Sequence, residues 1–223
     1  MPAIGRDNPP DLAPAHLSAV ELDREPEEGF EVEDAEIADA DISGAEARSG
    51  RIVHATIDGL RAADASLRDL WLVDVAAEAI DASNGDWRGA ALRRVELRGS
   101  RLTGVGLVEA ELTDVLLHDC KLDYANLRGA TLSHVTFSDC VLTDTDFGGA
   151  TLESVRFEGC ALQGTDFSRA TMTRVDLRGS ELSELGGDVA ALGGATVDSA
   201  QLIDLAPRLA ASAGIKVEDC DPD

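Results

Sequence analysis

The chain has 223 residues and a formal net charge of −24, from 43 acidic and 19 basic side chains, a balance that argues against direct binding of nucleic acid and favours basic partners. Aromatic residues make up only 4% of the chain, and no apolar run is long enough to cross a membrane. Met1-Pro2-Ala3-Ile4-Gly5 lacks a basic region followed by an apolar stretch, so the sequence reads as that of a cytoplasmic protein.

Residues 1–29 form an arm of distinct character. Pro2, Pro9, Pro10, Pro14 and Pro26 interrupt it, and Asp11, Glu21, Asp23, Glu25, Glu27 and Glu28 charge it. Such composition predicts a flexible or loosely docked segment. Its apolar stretch, with Leu17, Val20 and Leu22, either patches the open end of the following domain or serves as a tethered recognition peptide.

From residue 30 the chain keeps a five-residue register. The central positions begin as Val32, Ile37, Ile42, Ala47, Ile52, Ile57, Ala62, Leu67, Leu72, Ala77, Ala82 and Trp87. Over residues 90–182 they become regular: Leu92, Leu97, Leu102, Leu107, Leu112, Leu117, Leu122, Leu127, Leu132, Phe137, Leu142, Phe147, Leu152, Phe157, Leu162, Phe167, Met172, Leu177 and Leu182. A small residue stands two places before each of these. Neither the helical period of 3.6 nor the strand period of 2 gives this pattern. The small positions also sort by every fourth repeat: Ala90, Ala110, Ala130, Ala150 and Ala170; Val95, Val115, Val135, Val155 and Val175; Ser100, Cys120, Cys140, Cys160 and Ser180. Four pentapeptides therefore make one 20-residue coil, and like residues stack in ladders up one wall of a β-solenoid. In the early coils large and small residues partly exchange places, which conserves interior volume. Trp71, Asn84-Gly85 and Trp87 predict a distorted coil or a protruding loop between about Ala76 and Trp87.

Three segments carry a resemblance: Ala40-Asp41-Ile42-Ser43-Gly44, Ala125-Asn126-Leu127-Arg128-Gly129 and Thr165-Asp166-Phe167-Ser168-Arg169. They resemble the A(D/N)LXX signature of the pentapeptide repeat proteins. The resemblance implies an all-β solenoid, a right-handed quadrilateral β-helix with the central and small residues pointing inward. It covers roughly two thirds of the chain. The family shares a scaffold rather than one activity, and some members protect DNA gyrase by resembling the DNA duplex in charge and shape.

The register fails after Leu182. Gly186-Gly187 and Gly193-Gly194 bracket a loop, and Leu192, Ala195 and Val197 recover a last rung, so the solenoid is assigned to residues 30–197. Over residues 198–217 the sequence predicts a helical cap and a short tail. Asp198 reads as an N-cap with Gln201 completing a capping box, and Leu202, Leu205 and Leu209 form an apolar stripe. Pro207 is expected to divide the segment into two short helices, with Gly214 ending the second. This piece seals the open end of the solenoid, either alone or together with a homodimer contact, as in related proteins. Residues 218–223 read as a disordered tail.

Motifs for chemistry are sparse. His118 and His134 fall on outward positions, and no phosphate loop or nucleophile with a partner set is visible. The run Asp39-x-Asp41-x-Ser43-Gly44 imitates the start of a calcium loop, but the twelfth position is Gly50. Cys120, Cys140 and Cys160 stack one per coil at about 4.8 Å, a spacing open to a disulfide or metal role. Core filling suits the narrow interior better. Cys220 falls in the tail. No catalytic, cofactor or metal site is assigned.

Charge leaves one clue. Residues 1–50 carry 14 acidic and 3 basic residues, whereas residues 91–182 carry 14 and 10. Arg93, Arg94, Arg98 and Arg101 make one coil basic, and Asp114, Asp119, Asp123, Asp139 and Asp144 suggest an outward acidic belt, a candidate interaction surface. The sequence thus reads as a non-catalytic interaction scaffold for an unidentified protein. The alternative is a DNA-mimicking regulator or protector of DNA gyrase.

Overall fold

The computed structural model describes residues 17–20, 22, 26–182 and 184–218, together with Pro10. The other residues of the arm, and the tail with Cys220, lie outside the described residues.

The protein is an all-parallel β-solenoid of about nine turns with one short C-terminal helix. In chain order the strands are β1 (Ser18–Ala19), β2 (Glu31–Ala38), β3 (Glu46–Arg48), β4 (Arg51–Asp58), β5 (Ser66–Arg68), β6 (Trp71–Glu78), β7 (Ala91–Arg98), β8 (Glu111–His118) and β9 (Thr131–Ser138). Shorter pieces follow: β10 (Thr151–Glu153), β11 (Arg156–Glu158), β12 (Thr171–Thr173), β13 (Val175–Asp176) and β14 (Ala195–Thr196). A twelve-stranded sheet runs β1-β2-β4-β6-β7-β8-β9-β11-β13-β14, with β10 and β12 alongside, while β3 pairs with β5.

Pairing advances by 20 residues per coil: Leu72 lies opposite Leu92, Leu92 opposite Leu112, and Leu112 opposite Leu132. Isolated parallel bridges, such as Arg101 with Lys121 and Gly106 with Asn126, carry the same step around the rest of each coil. Each coil therefore has four sides. The long strands form the first side, centred on Leu92, Leu112 and Leu132, and the second, centred on Leu97, Leu117 and Phe137. The bridges hold the third side, centred on Leu102 and Leu122, and the fourth, centred on Leu107 and Leu127.

The corners are made by the residue two places after each central one. From Asp34 to Gly179 every such residue has positive φ, between 50° and 76°. Glycine, aspartate and asparagine fill most of these corners because they adopt the left-handed conformation most readily.

The interior is closed. Leu122, Leu127 and Leu132 have no exposed surface. Phe137 and Phe157 on the second side stack at 4.9 Å, and Phe147 and Phe167 on the fourth at 5.1 Å. The two pairs meet edge to face across the core, with Phe137 and Phe147 6.2 Å apart at 86°.

The early coils keep the same path with different volumes. A Cβ on Gly50 would come within 2.2 Å of the Phe30 ring, so the glycine is the space that Phe30 fills. No loop protrudes between Ala76 and Trp87. β6 is a regular strand, Asp81 and Asp86 bridge normally to their neighbours, and Trp87 is a buried central residue. The indole fits because Gly85 takes the small position: a Cβ there would meet Trp87 Nε1 at 3.2 Å.

At the N-terminal end β1 extends the sheet, with Ser18 opposite Ala35 and Ala19 opposite Glu36, and Leu22 joins the core. At the C-terminal end a 3-10 turn (Val189–Leu192) leads into β14 and then α1 (Ser199–Ser212). Asp198 and Gln201 form the capping box. Pro207 lies inside this single helix and does not divide it. Pro207 and Ile203 both face solvent, so the Ile203 carbonyl, which proline cannot serve with an N–H, is left toward water. Gly214, with φ of 71°, ends the helix.

Candidate interaction surfaces

Because the register is constant, each outward position becomes a column of side chains along the rod, with neighbours about 4.8 Å apart. The corner of the first side carries Asp34, His54, Asp74, Arg94, Asp114, His134, Ser154 and Arg174. Arg94 grips the buried Asp74 with two hydrogen bonds, Nε to Oδ1 at 2.6 Å and Nη2 to Oδ2 at 2.5 Å. His54 lies between two carboxylates, 3.4 Å from Asp34 and 3.5 Å from Asp74. Farther along, Arg174 donates to Ser154 Oγ at 3.0 Å.

The fourth side bears arginines at Arg48, Arg68, Arg88 and Arg128, each answered by a carboxylate. Arg48 meets Asp69 at 3.1 Å, Arg68 and Arg88 share Asp86 at 2.7 Å, and Arg128 meets Asp146 at 2.9 Å. Hydrogen bonds from Arg88, seconded by Arg68, hold the Asp86 carboxyl well below the usual carboxylate range. A groove of about 950 Å³ near the C-terminal end is lined by Arg156, Arg174 and Arg178. Its arginines are likewise engaged, with Glu158, Glu153 and Asp176 respectively.

The five aspartates of the anticipated acidic belt do not form one patch. Asp119 and Asp139 stack on the corner of the second side and are exposed, and His118 lies 3.6 Å from Asp139. Asp144 is exposed at the corner of the third side and Asp123 half-buried on that side, while Asp114 is half-buried at the corner of the first. All except Asp123 occupy left-handed corners. Aspartate there has a conformational reason to be present, apart from any role of its charge.

Cys120, Cys140 and Cys160 are buried. Each Sγ donates to a carbonyl of the preceding coil at 3.4 Å: Cys120 to Leu97, Cys140 to Leu117 and Cys160 to Phe137. Ser180 Oγ makes the equivalent bond to Phe157 at 3.1 Å. Hydrogen bonds with the flanking thiols, together with burial, push the Cys140 thiol far up. Among the described residues no cluster of His, Cys, Asp and Glu is arranged to hold a metal ion, and no helix is long and apolar enough to cross a membrane.

In α1, Leu205 is buried and Leu209 packs on the core, but Leu202 is 50% exposed. The inward position beside Leu205 belongs to Gln201. Its Nε2 donates to Leu177 O and Ser180 O, both at 2.7 Å, while its Oε1 accepts from Asp198 N at 2.8 Å. Arg208 adds bonds to the carbonyls of Leu185 and Gly187. Side chains of the helix thus satisfy the last coil. Nothing in the apolar stripe of Leu202, Leu205 and Leu209 points to this second role of Gln201.

Residues 110–186 match a family described as Pentapeptide repeat region. No curated protein sequence matches the chain. Among solved structures, a trypsin-treated variant of QnrB1, a plasmid-mediated fluoroquinolone resistance protein, is 24% identical with a TM-score of 0.57, over 91% of this chain and 98% of that one. Full-length QnrB1 is 22% identical with a TM-score of 0.50, over 86% and 96%. HetL, from the cyanobacterium Nostoc sp. strain PCC 7120, is 21% identical with a TM-score of 0.43, over 73% and 86%. At these identities the likeness to QnrB1 is one of fold.

Proposed function

We propose that this pentapeptide repeat protein is a non-catalytic scaffold that presents a rigid face to another macromolecule. The observation that carries the reading is the constant 20-residue step from β2 to β9, which fixes outward side chains in straight columns. A surface of that kind is preorganised, so binding orders few additional groups. Cross-linking of the full-length protein in native cytosol, followed by identification of the captured proteins, tests it. A scaffold yields a discrete partner set that competes with unlabelled protein; recovery of abundant proteins alone, without competition, defeats the reading.

A second reading is a DNA-mimicking regulator or protector of DNA gyrase. It is favoured by the second side, whose outward positions include Glu36, Asp39, Asp58, Glu78, Asp119 and Asp139. A self-association contact at the C-terminal end also belongs here. Leu202, Ile203, Ile215 and Val217 in the C-terminal segment are all at least half exposed, and exposed apolar side chains of this kind favour pairing. Light scattering of Ile203→Asp against wild type tests it: the reading expects a dimeric wild type and a monomeric variant, and equal masses remove the contact.

A further inference from the structure

Most arginines of the rod are ion-paired; among its described residues Arg51, Arg93, Arg101 and Arg169 have no carboxylate partner, and two of these four share one side. On the first side, Arg51 and Arg93 are exposed, and among the described residues neither has a carboxylate partner. Between them stands Trp71, 53% exposed. The register fixes their arrangement. Arg51, Trp71 and Ala91 follow one another in one outward column, and Val53, Val73 and Arg93 follow in the column two residues along. Val53 is buried, so Trp71, Val73 and Ala91 make a small apolar island with Arg51 at one corner and Arg93 at the opposite one. Tryptophan and arginine are the residues most often found at the energetic centre of protein interfaces.

We infer that this island binds an extended protein segment of the form Glu-x-Φ-x-Glu, where Φ is a large apolar residue. The spacing supports this choice. Arg51 and Arg93 are two rungs and two residues apart, a diagonal of roughly 12 Å from sheet geometry. In an extended chain, side chains at i, i+2 and i+4 share one face and span about 13 Å. Two carboxylates then meet the two guanidinium groups while Φ rests on Trp71 and Val73. Glu31 and Glu33 close the island on one edge and Glu111 on the other, since they continue the same two columns. They repel a segment shifted by one coil and so set its register. A single-stranded nucleic acid also has phosphates and flat bases, but it carries a charge on every nucleotide and so meets Glu31, Glu33 and Glu111 as well as the two arginines, whereas the segment carries only the two carboxylates that the arginines answer.

The inference rests on the scaffold reading and adds a partner chemistry opposite to that of gyrase mimicry. Its test is titration of the full-length protein with a capped Ser-Glu-Ser-Phe-Ser-Glu-Ser peptide, followed by tryptophan emission and calorimetry. The chain has two tryptophans, and Trp87 is only 3% exposed, so a change in emission reports Trp71. We expect a saturable blue shift, loss of binding in Trp71→Ala, and roughly tenfold weaker binding in Arg51→Gln/Arg93→Gln, a change worth about 1.4 kcal/mol. These side chains project from the surface, so the variants keep the fold, and melting curves check it. No shift, equal binding of a peptide with lysine in place of glutamate, unchanged binding in Trp71→Ala, or preferential binding of an oligothymidylate each overturns the inference. If only this island fails, cross-linked partners in native cytosol remain the same in Trp71→Ala; if the scaffold reading fails, wild type captures no specific partner either.

Discussion

A residue held near φ of +55° pays about 1–2 kcal/mol unless it is glycine, because its Cβ crowds the following carbonyl. The corners of this solenoid repeat that demand along its whole length. Ala79, with φ of 53°, lies between Gly59 and Gly99 in the second-side column and has no side-chain bond to offset its strain. Ala79→Gly should therefore raise the urea midpoint, reflecting a net gain in stability of up to about 1 kcal/mol after the larger chain entropy of glycine is subtracted. Ala79→Val should lower it, since β-branching adds to the crowding. Identical midpoints in all three proteins would show that this corner is unstrained. The inward register was readable from sequence because burial restricts residue identity directly. The corners were readable only in part, because an aspartate chosen for its backbone looks the same as one chosen for its charge. Trp87 was misread for a related reason: a tryptophan beside a glycine suggests a loop, whereas here the glycine is the cavity that receives the indole. The fit is imperfect, since Trp87 Nε1 is buried without a hydrogen-bond partner.

At the scale of the element, the end of a solenoid is its weakest place, since the last coil has backbone groups and apolar side chains with no successor. Helix α1 meets both needs. Leu205 and Leu209 cover the apolar end, and Gln201 bonds two carbonyls of the final coil while holding the helix N-terminus. The stripe of leucines could be read from sequence, but the glutamine was legible only as half of a capping box. Its second task depends on a coil more than 20 residues earlier, and nothing local records it. Gln201→Ala leaves Leu177 O and Ser180 O buried with fewer partners, at a cost of roughly 1–3 kcal/mol. The loss should be local. Hydrogen exchange should quicken in residues 175–212 and stay unchanged in β7 and β8. Uniform acceleration along the rod would mean that α1 is coupled to global unfolding rather than capping one end.

For the whole molecule, the question is whether a charge of −24 is a signal or a by-product. Part of it follows from geometry, because left-handed corners recruit aspartate whether or not a partner exists. Part of it does not, since Glu36, Asp58 and Glu78 lie outside the corners and still gather on the second side. Asparagine separates the two contributions: it adopts the left-handed conformation about as readily as aspartate and has no charge. Replacing Asp119, Asp123, Asp139 and Asp144 together with Asn should leave the melting temperature within a few degrees of wild type, because exposed charges of this kind add little to stability. If the carboxylates stand in for phosphates, wild-type protein alters supercoiling by gyrase, the effect declines with added salt, and the quadruple variant loses most of it. An inert wild type, or a quadruple variant as active as wild type, would assign Asp119, Asp139 and Asp144 to the corners they build and leave Asp123 as a solvated side chain.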